Sequence, residues 1–400
     1  MYKRSSMKWK MLMWQSCILS VVLLSLTACS EGASTWKKES CFEDDSITSD
    51  FKTKVKYARG FSINVKESYK EITVYNPWKN DVVLCKYILF PKGKPLPFFE
   101  AENVTYIQTP INSVAVFSNT HIGPLVELGL ADKIVGITRA NKIYNKRLSV
   151  KVKNGEIPSL GGAHNKNIDI EAIVDLNPEL IILSAFNEVK SGESHLDQIG
   201  FKLAYALNWM EDTPLARAEW IKFVAAFFNK DKEADEFFNK VEGNYNEIRK
   251  LAEKVEKKAS VLMGWSYKGI WYMPGGQNYM VSYLRDAGAD YFLFADSTRG
   301  NIPMSVENVL DNCNDADIWI YPGICKSRQD IENAGEVFTQ FKAFRDHEVY
   351  NIYKRSNARG GSDWWETATI RPDIVLKDFI KILHPEILPQ DSTYFISKLH

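Results

Sequence analysis

Two stretches of the chain decide its architecture: Ile168 to Ile182, reading IDIEAIVDLNPELII, and Met304 to Ile320, reading MSVENVLDNCNDADIWI. Glu171 of the first matches Glu307 of the second, Ile173 matches Val309, Val174 matches Leu310 and Asp175 matches Asp311. After a small difference in length, the apolar runs Leu180–Ile182 and Ile318–Ile320 fall into line. Each copy reads as a loop, a short helix with an early glutamate, a turn and a buried strand. One unit occurring twice implies two related lobes, a cleft between them, and one glutamate presented by each lobe. Either glutamate alone would be explained by the helix dipole, which favours a carboxylate in the first turn. The repeat of the whole unit is what gives the pair a functional meaning.

Around the first copy, Val114–Phe117, Ile134–Ile137 and Leu180–Leu183 read as buried strands, separated by helical segments from Ile122 to Leu130 and Ile170 to Leu176. Around the second, Val261–Met263 and Ile318–Tyr321 read as strands, Tyr279–Ala287 and Arg371–Leu383 as helices. Alternation of this kind specifies parallel-rich α/β lobes. Between them, Ala234, Phe237, Phe238, Val241, Tyr245, Ile248, Leu251, Ala252 and Val255 step by threes and fours. That stripe predicts one helix over Lys232–Lys257, roughly 40 Å long at 1.5 Å per residue. Upstream, residues 51–112 read as a small β extension, with Phe61–Val65, Ile72–Tyr75 and Val82–Phe90 as strands punctuated by prolines. The fold class is thus α/β: two Rossmann-like lobes, residues 113–213 and 259–400, bridged by one long helix within a helical linker at 214–258.

The first residues carry an address. Lys3, Arg4, Lys8 and Lys10 precede the apolar run Ile18–Leu26, which ends in Leu26-Thr27-Ala28-Cys29. A basic segment followed by a short apolar core is the layout of a secretory signal. An aliphatic residue and two small ones before cysteine form a lipobox, so residues 1–28 are read as a lipoprotein signal peptide and Cys29 as the lipidated residue. Residues 29–50, rich in Ser, Glu, Asp and Lys, read as a tether. The remaining cysteines are exported with the chain, and Cys313 and Cys325 flank one apolar segment where they could pair.

Composition excludes several function classes. The 400 residues hold 50 Lys+Arg and 50 Asp+Glu, so the net charge is zero and nucleic acid is not an expected partner. His-Glu-x-x-His, Gly-x-Ser-x-Gly and a phosphate loop are all absent from the sequence. The six histidines are dispersed, against a site for bare metal ions. No catalytic residue, metal site or cofactor is therefore expected.

The order of motifs resembles the class III substrate-binding proteins of ABC importers, which capture iron–siderophore complexes, haem or vitamin B12. The resemblance runs from Ser113 to about Pro389. It rests on His121–Gly129 after a strand, Lys133–Ile137, Glu171–Ile182, Tyr283–Ala289, Met304–Leu310 and Arg371–Phe379, behind a lipobox. The β extension has no counterpart in the family's minimal form. The resemblance implies an ABC permease with its ATPase as partner, docked through Glu171 and Glu307. It also implies a monomer held at a bacterial cell envelope by its lipid, with an iron–siderophore complex as cargo and a corrinoid or haem as alternatives.

Ligands of α/β lobes bind beyond the carboxyl ends of strands. Candidate cleft residues from such loops are Ser118, Asn119, His121, Gly161, Gly162 and Phe186 in the first lobe, and Trp265, Trp271, Arg299, Trp364 and Trp365 in the second. Loops around Arg139, His164 and Arg359 are further candidates. Tryptophans would wall a flat ligand, and Arg299 would meet a negative one.

Overall fold

The computed structural model describes residues 53–79, 81–97, 104–162, 167–185 and 195–400. The signal peptide, Cys29 and the whole of the tether lie outside the described residues, as do His164 and Phe186.

Strands β1 (Phe61–Val65), β2 (Lys70–Tyr75), β3 (Val83–Pro91) and β4 (Val104–Thr109) form a sheet in chain order, antiparallel except for β3–β4. The first lobe is a parallel sheet, in the order β6 (Ile134–Ile137), β5 (Val114–Val116), β7 (Leu180–Leu183) and β8 (Leu203–Tyr205). Its strands are short and apolar on both faces, as strands covered on both sides must be. In the second lobe β9 (Val261–Met263) pairs parallel with β13 (Ile318–Ile320), and β13 with β14 (Val349–Asn351). The last strand, β15 (Ser397–Lys398), closes that edge antiparallel. A separate antiparallel ribbon, which the sequence pattern does not reveal, is built from β10 (Ser266–Tyr267), β11 (Ile270–Pro274) and β12 (Asn301–Ser305).

The connection between lobes is a pair of helices. Pro214–Ala226 begins on a Thr213 side-chain cap with proline in its first turn, and all 13 of its residues are buried. The chain turns through Asn229, whose φ of 53° is left-handed, and returns as Asp231–Ala252. This second helix stops five residues short of the Lys257 end expected from the apolar stripe. Both helices cross between cores. Leu215 belongs to the second lobe's core, while Ala218 to Phe228 belong to that of the first. Conversely Ala234 and Phe238 sit in the first core, and Tyr245 and Ala252 in the second.

The β extension shares the first lobe's core. Phe61 lies 4.6 Å from the ring of Trp220, and Tyr87 meets Phe223 and Phe227 edge-on at 6.1 and 5.6 Å. Residues 54–60 run over the helix pair as a strap, held by buried carboxylates. Glu219 accepts the amides of Lys56, Tyr57 and Ala58 at 2.8, 2.6 and 2.9 Å. Glu211 accepts the Gly60 amide and the Trp220 indole N–H, both at 2.9 Å. Amides bonded to charged acceptors are among the stronger hydrogen bonds, and burial removes the competing water.

Cys313 and Cys325 are separate buried thiols rather than a pair, and burial pushes them up to about 12 and about 11.

Candidate functional site

The cleft between the lobes encloses a cavity of about 490 Å³. Its first-lobe wall comes from the ends of all four parallel strands: Phe117, Ser118, Asn119 and Thr120 after β5, Arg139 and Lys142 after β6, Ser184 after β7, and Trp209 beyond β8. Tyr353, Gly360, Ser362 and Trp365, all after β14, form the opposite wall. Convergence of loops from the carboxyl ends of parallel strands follows from the right-handed crossovers of such sheets.

Local structure fixes the polar residues. Ser118 caps the following turn, its oxygen accepting the Thr120 amide, and Asn119 donates from its side chain to the Lys142 carbonyl at 2.8 Å. Arg139 has a left-handed backbone, φ 52°, and its amide donates to the Gly161 carbonyl at 2.8 Å. Gly161 is itself at φ 126°, and a Cβ there would lie 2.4 Å from the Asn167 carbonyl oxygen. Glycine is needed at that position, and its role is to support the Arg139 turn from behind. Neither Gly161 nor Gly162 lines the cavity.

Chemically the cavity combines two cations with aromatic walls. Arg139 and Lys142 line it, and among the described residues no carboxylate does. Phe117, Trp209, Tyr353 and Trp365 supply flat apolar area. Such a site suits a ligand that is bulky, partly flat and negative on the side facing the first lobe.

Of the residues expected from sequence, Ser118, Asn119 and Trp365 come together here. His121 lies behind the wall: it is buried, its Nε2 is 3.3 Å from the Ser184 hydroxyl, and burial pulls its pKa down to about 4. It is a neutral support for Ser184. Trp271 is fully enclosed in the second-lobe core, and its indole N–H donates to the Met263 carbonyl at 2.8 Å. Trp265 stacks on Trp319 at 5.7 Å and is pinned beneath Gly323, where a Cβ would come within 2.7 Å of its ring. Trp364 is buried against Phe395. Trp271 and Trp364 are thus core residues and the half-buried Trp265 packs against the same core, as large aromatics beside strands commonly do. Arg299 is on a different surface, lining a groove with Arg59, Tyr75 and Glu211, its Nε 3.2 Å from Asp212. Among the described residues the first lobe has no counterpart of the ribbon β10–β12, which carries the Arg299 loop away from the cleft.

Sequence reasoning does not single out Lys142, Trp209 or Tyr353. Lys142 and Trp209 lie beyond the ends of β6 and β8, where only the return of the loop brings them in, and Tyr353 follows closely on β14, a strand that the sequence reading does not include. Glu171 and Glu307 are both exposed, each in the first turn of a helix capped by a side chain. Asp169 accepts the Ala172 amide at 3.0 Å, and Ser305 the Asn308 amide at 3.2 Å.

Residues 114–356, well over half of the chain, match a family described as periplasmic binding protein. The chain belongs to that family. A periplasmic binding protein of this type serves as the substrate-binding component of an ABC transporter. An uncharacterized lipoprotein of Methanocaldococcus jannaschii is 25% identical over 95% of this chain and 95% of its own length. A second uncharacterized lipoprotein of that organism is 26% identical over 64% of this chain and 65% of its own. Among solved structures, a possible iron-binding periplasmic solute-binding protein of Staphylococcus epidermidis superposes with a TM-score of 0.54 at 20% identity. It covers 68% of this chain and 99% of its own. A Helicobacter pylori protein solved with Ni(II) bound gives 0.56 at 17% identity, over 72% and 88% of the two chains. At these identities the structural likenesses establish the two-lobed fold. The β extension of this periplasmic binding protein precedes the matched region.

Proposed function

We propose that this periplasmic binding protein is anchored through lipid on Cys29, captures an anionic iron chelate of the siderophore type in its inter-lobe cleft, and hands it to an ABC permease. The observation that carries the ligand class is the pairing of Arg139 and Lys142 on one wall with Trp365 and Tyr353 on the other. Ferric chelates built from catecholate or carboxylate arms present negative oxygens around a bulky apolar body. The cations meet the oxygens through charge-assisted bonds, and the rings cover the body. The iron-binding description of the Staphylococcus epidermidis neighbour agrees with this reading. Exposed Glu171 and Glu307, one per lobe, are the docking residues for the permease.

A corrinoid or haem is the second reading, favoured by the number of aromatic rings around the cavity. The test is titration of the purified protein with a ferric tris-catecholate, haemin and cyanocobalamin, followed by tryptophan fluorescence. The iron reading expects the ferric chelate to bind most tightly. It also expects Arg139→Ala to weaken that chelate by about 1.5–3 kcal/mol, the range for a hydrogen bond to a charged group. Tight binding of cyanocobalamin alone would replace it with the corrinoid reading.

A further inference from the structure

The two lobes meet beside the cavity through a set of cross-lobe bonds made by one segment of the second lobe, residues 355–371. The Glu366 carboxylate reaches across and accepts two consecutive first-lobe amides, Tyr144 at 2.6 Å and Asn145 at 2.9 Å. Lys142 of the first lobe donates to the Arg359 carbonyl at 2.8 Å, and Asn357 of the second to the Ile143 carbonyl at 2.8 Å. Contact here is close enough to dictate glycine. A Cβ on Gly123 would lie 2.2 Å from the Glu366 carbonyl oxygen, and one on Gly361 would lie 2.6 Å from the Ile143 carbonyl oxygen. The segment held down, Lys142 to Asn145, includes one of the two cavity cations.

We propose that Glu366 is a positioning residue that clasps the Lys142–Asn145 rim of the cleft to the second lobe, and so sets how readily the cleft opens to its ligand. The proposal rests on the cleft being the ligand site, but the clasp can be measured without any ligand.

The carboxyl is buried, and its surroundings are poor in compensating charge. Asp363, on the same segment, adds a like charge, itself paired to Arg355 at 2.6 Å. From the first lobe, Lys142 is bound to the Arg359 carbonyl, and Tyr144 and Asn145 offer amides. The helix Ile122–Glu127 packs through Gly123 and carries Glu127, near Arg371, which is paired to Asp373 at 2.8 Å. Burial outweighs the two amide donors and raises Glu366 to about 7, against 4.5 for a free glutamate. Opening returns the carboxyl to water, where the ordinary value applies. The closed form therefore holds its proton more tightly, so the clasp is favoured below pH 7 and loosens as the pH rises. By linkage, the open population should grow about tenfold between pH 6 and pH 8.

The experiment is hydrogen exchange by mass spectrometry on the ligand-free protein, following the peptide that contains Tyr144 and Asn145 after normalising for intrinsic exchange rates. In the wild type, normalised opening should rise about tenfold from pH 6 to pH 8. Glu366→Gln, which cannot ionise and keeps one acceptor oxygen for the two amides, should hold the peptide more protected than Glu366→Ala does and show no rise across that range. Glu366→Ala should leave it exposed at every pH, and Glu366→Gln remains decisive if the alanine variant does not fold. A wild-type peptide that changes less than twofold, or a Glu366→Gln protein with the same rise, overturns the proposal. Failure of every chelate to bind would overturn the ligand reading and leave the clasp standing.

Discussion

Replacing Glu219 by alanine tests whether the β extension is one folding unit with the lobes. The carboxylate is wholly buried, accepts three successive amides of the strap, and lies 3.0 Å from the Lys222 ammonium. Lys222 is equally buried, with the Lys54 carbonyl at 2.7 Å and Asp235 at 3.0 Å as its other partners. Glu219→Ala removes the acceptor of three amides and one of the two carboxylates facing a buried cation. Breaking a buried pair from one side costs about 3–5 kcal/mol, because the remaining groups stay desolvated. Water entering the vacated space would satisfy some amides and bring the loss toward the lower end. Domain stabilities are about 5–15 kcal/mol, so the change would be a large fraction of the whole. Urea unfolding at pH 7 should show a single transition with a lower midpoint and an unchanged slope, since the slope reports the surface exposed. Limited proteolysis should find new cleavage between Lys54 and Gly60. Glu219→Gln, which keeps one acceptor oxygen, should lose less. A loss below about 1 kcal/mol would show that these bonds do not hold the strap. A split transition would show that the extension unfolds by itself.

Three further outcomes are expected. Gly243 sits inside the helix Asp231–Ala252 with open space where a Cβ would be, so Gly243→Ala should raise the urea midpoint, stabilising by about 0.5–1 kcal/mol. Cys29→Ala should abolish incorporation of labelled fatty acid and leave the precursor unprocessed. Joint replacement of Glu171 and Glu307 by arginine should stop uptake of radio-iron chelate by cells while equilibrium binding to the purified protein stays unchanged; a matching loss of binding would place these residues in the ligand site instead.

What the sequence determined by itself is whatever rests on short-range pattern. Apolar runs of three or four residues located β5, β6, β7, β9 and β13. The helix Ile170–Leu176 was legible because capping and periodicity are local, and the internal repeat alone implied two lobes. Charge balance argued against a nucleic-acid partner, the order of motifs carried the family resemblance, and the lipobox read as an export and lipidation signal. The cavity's composition was a different matter. Trp271 and Trp365 are indistinguishable by local pattern: both are aromatics in short segments near strands. Only the β11 register, which turns Trp271 toward the core, and the 355–371 segment, which carries Trp365 to the cleft, separate them. Lys142 becomes a cleft residue because a loop from the other lobe closes over it, and Arg299 leaves the cleft because an inserted ribbon carries its loop elsewhere. Glu366 looks like an ordinary loop acid in the sequence. Its two partners are more than 200 residues away, and neither its burial nor its two amide bonds exist until the lobes meet. Local order is written in neighbouring residues, whereas the chemistry of a cleft depends on contacts between chain segments far apart in sequence.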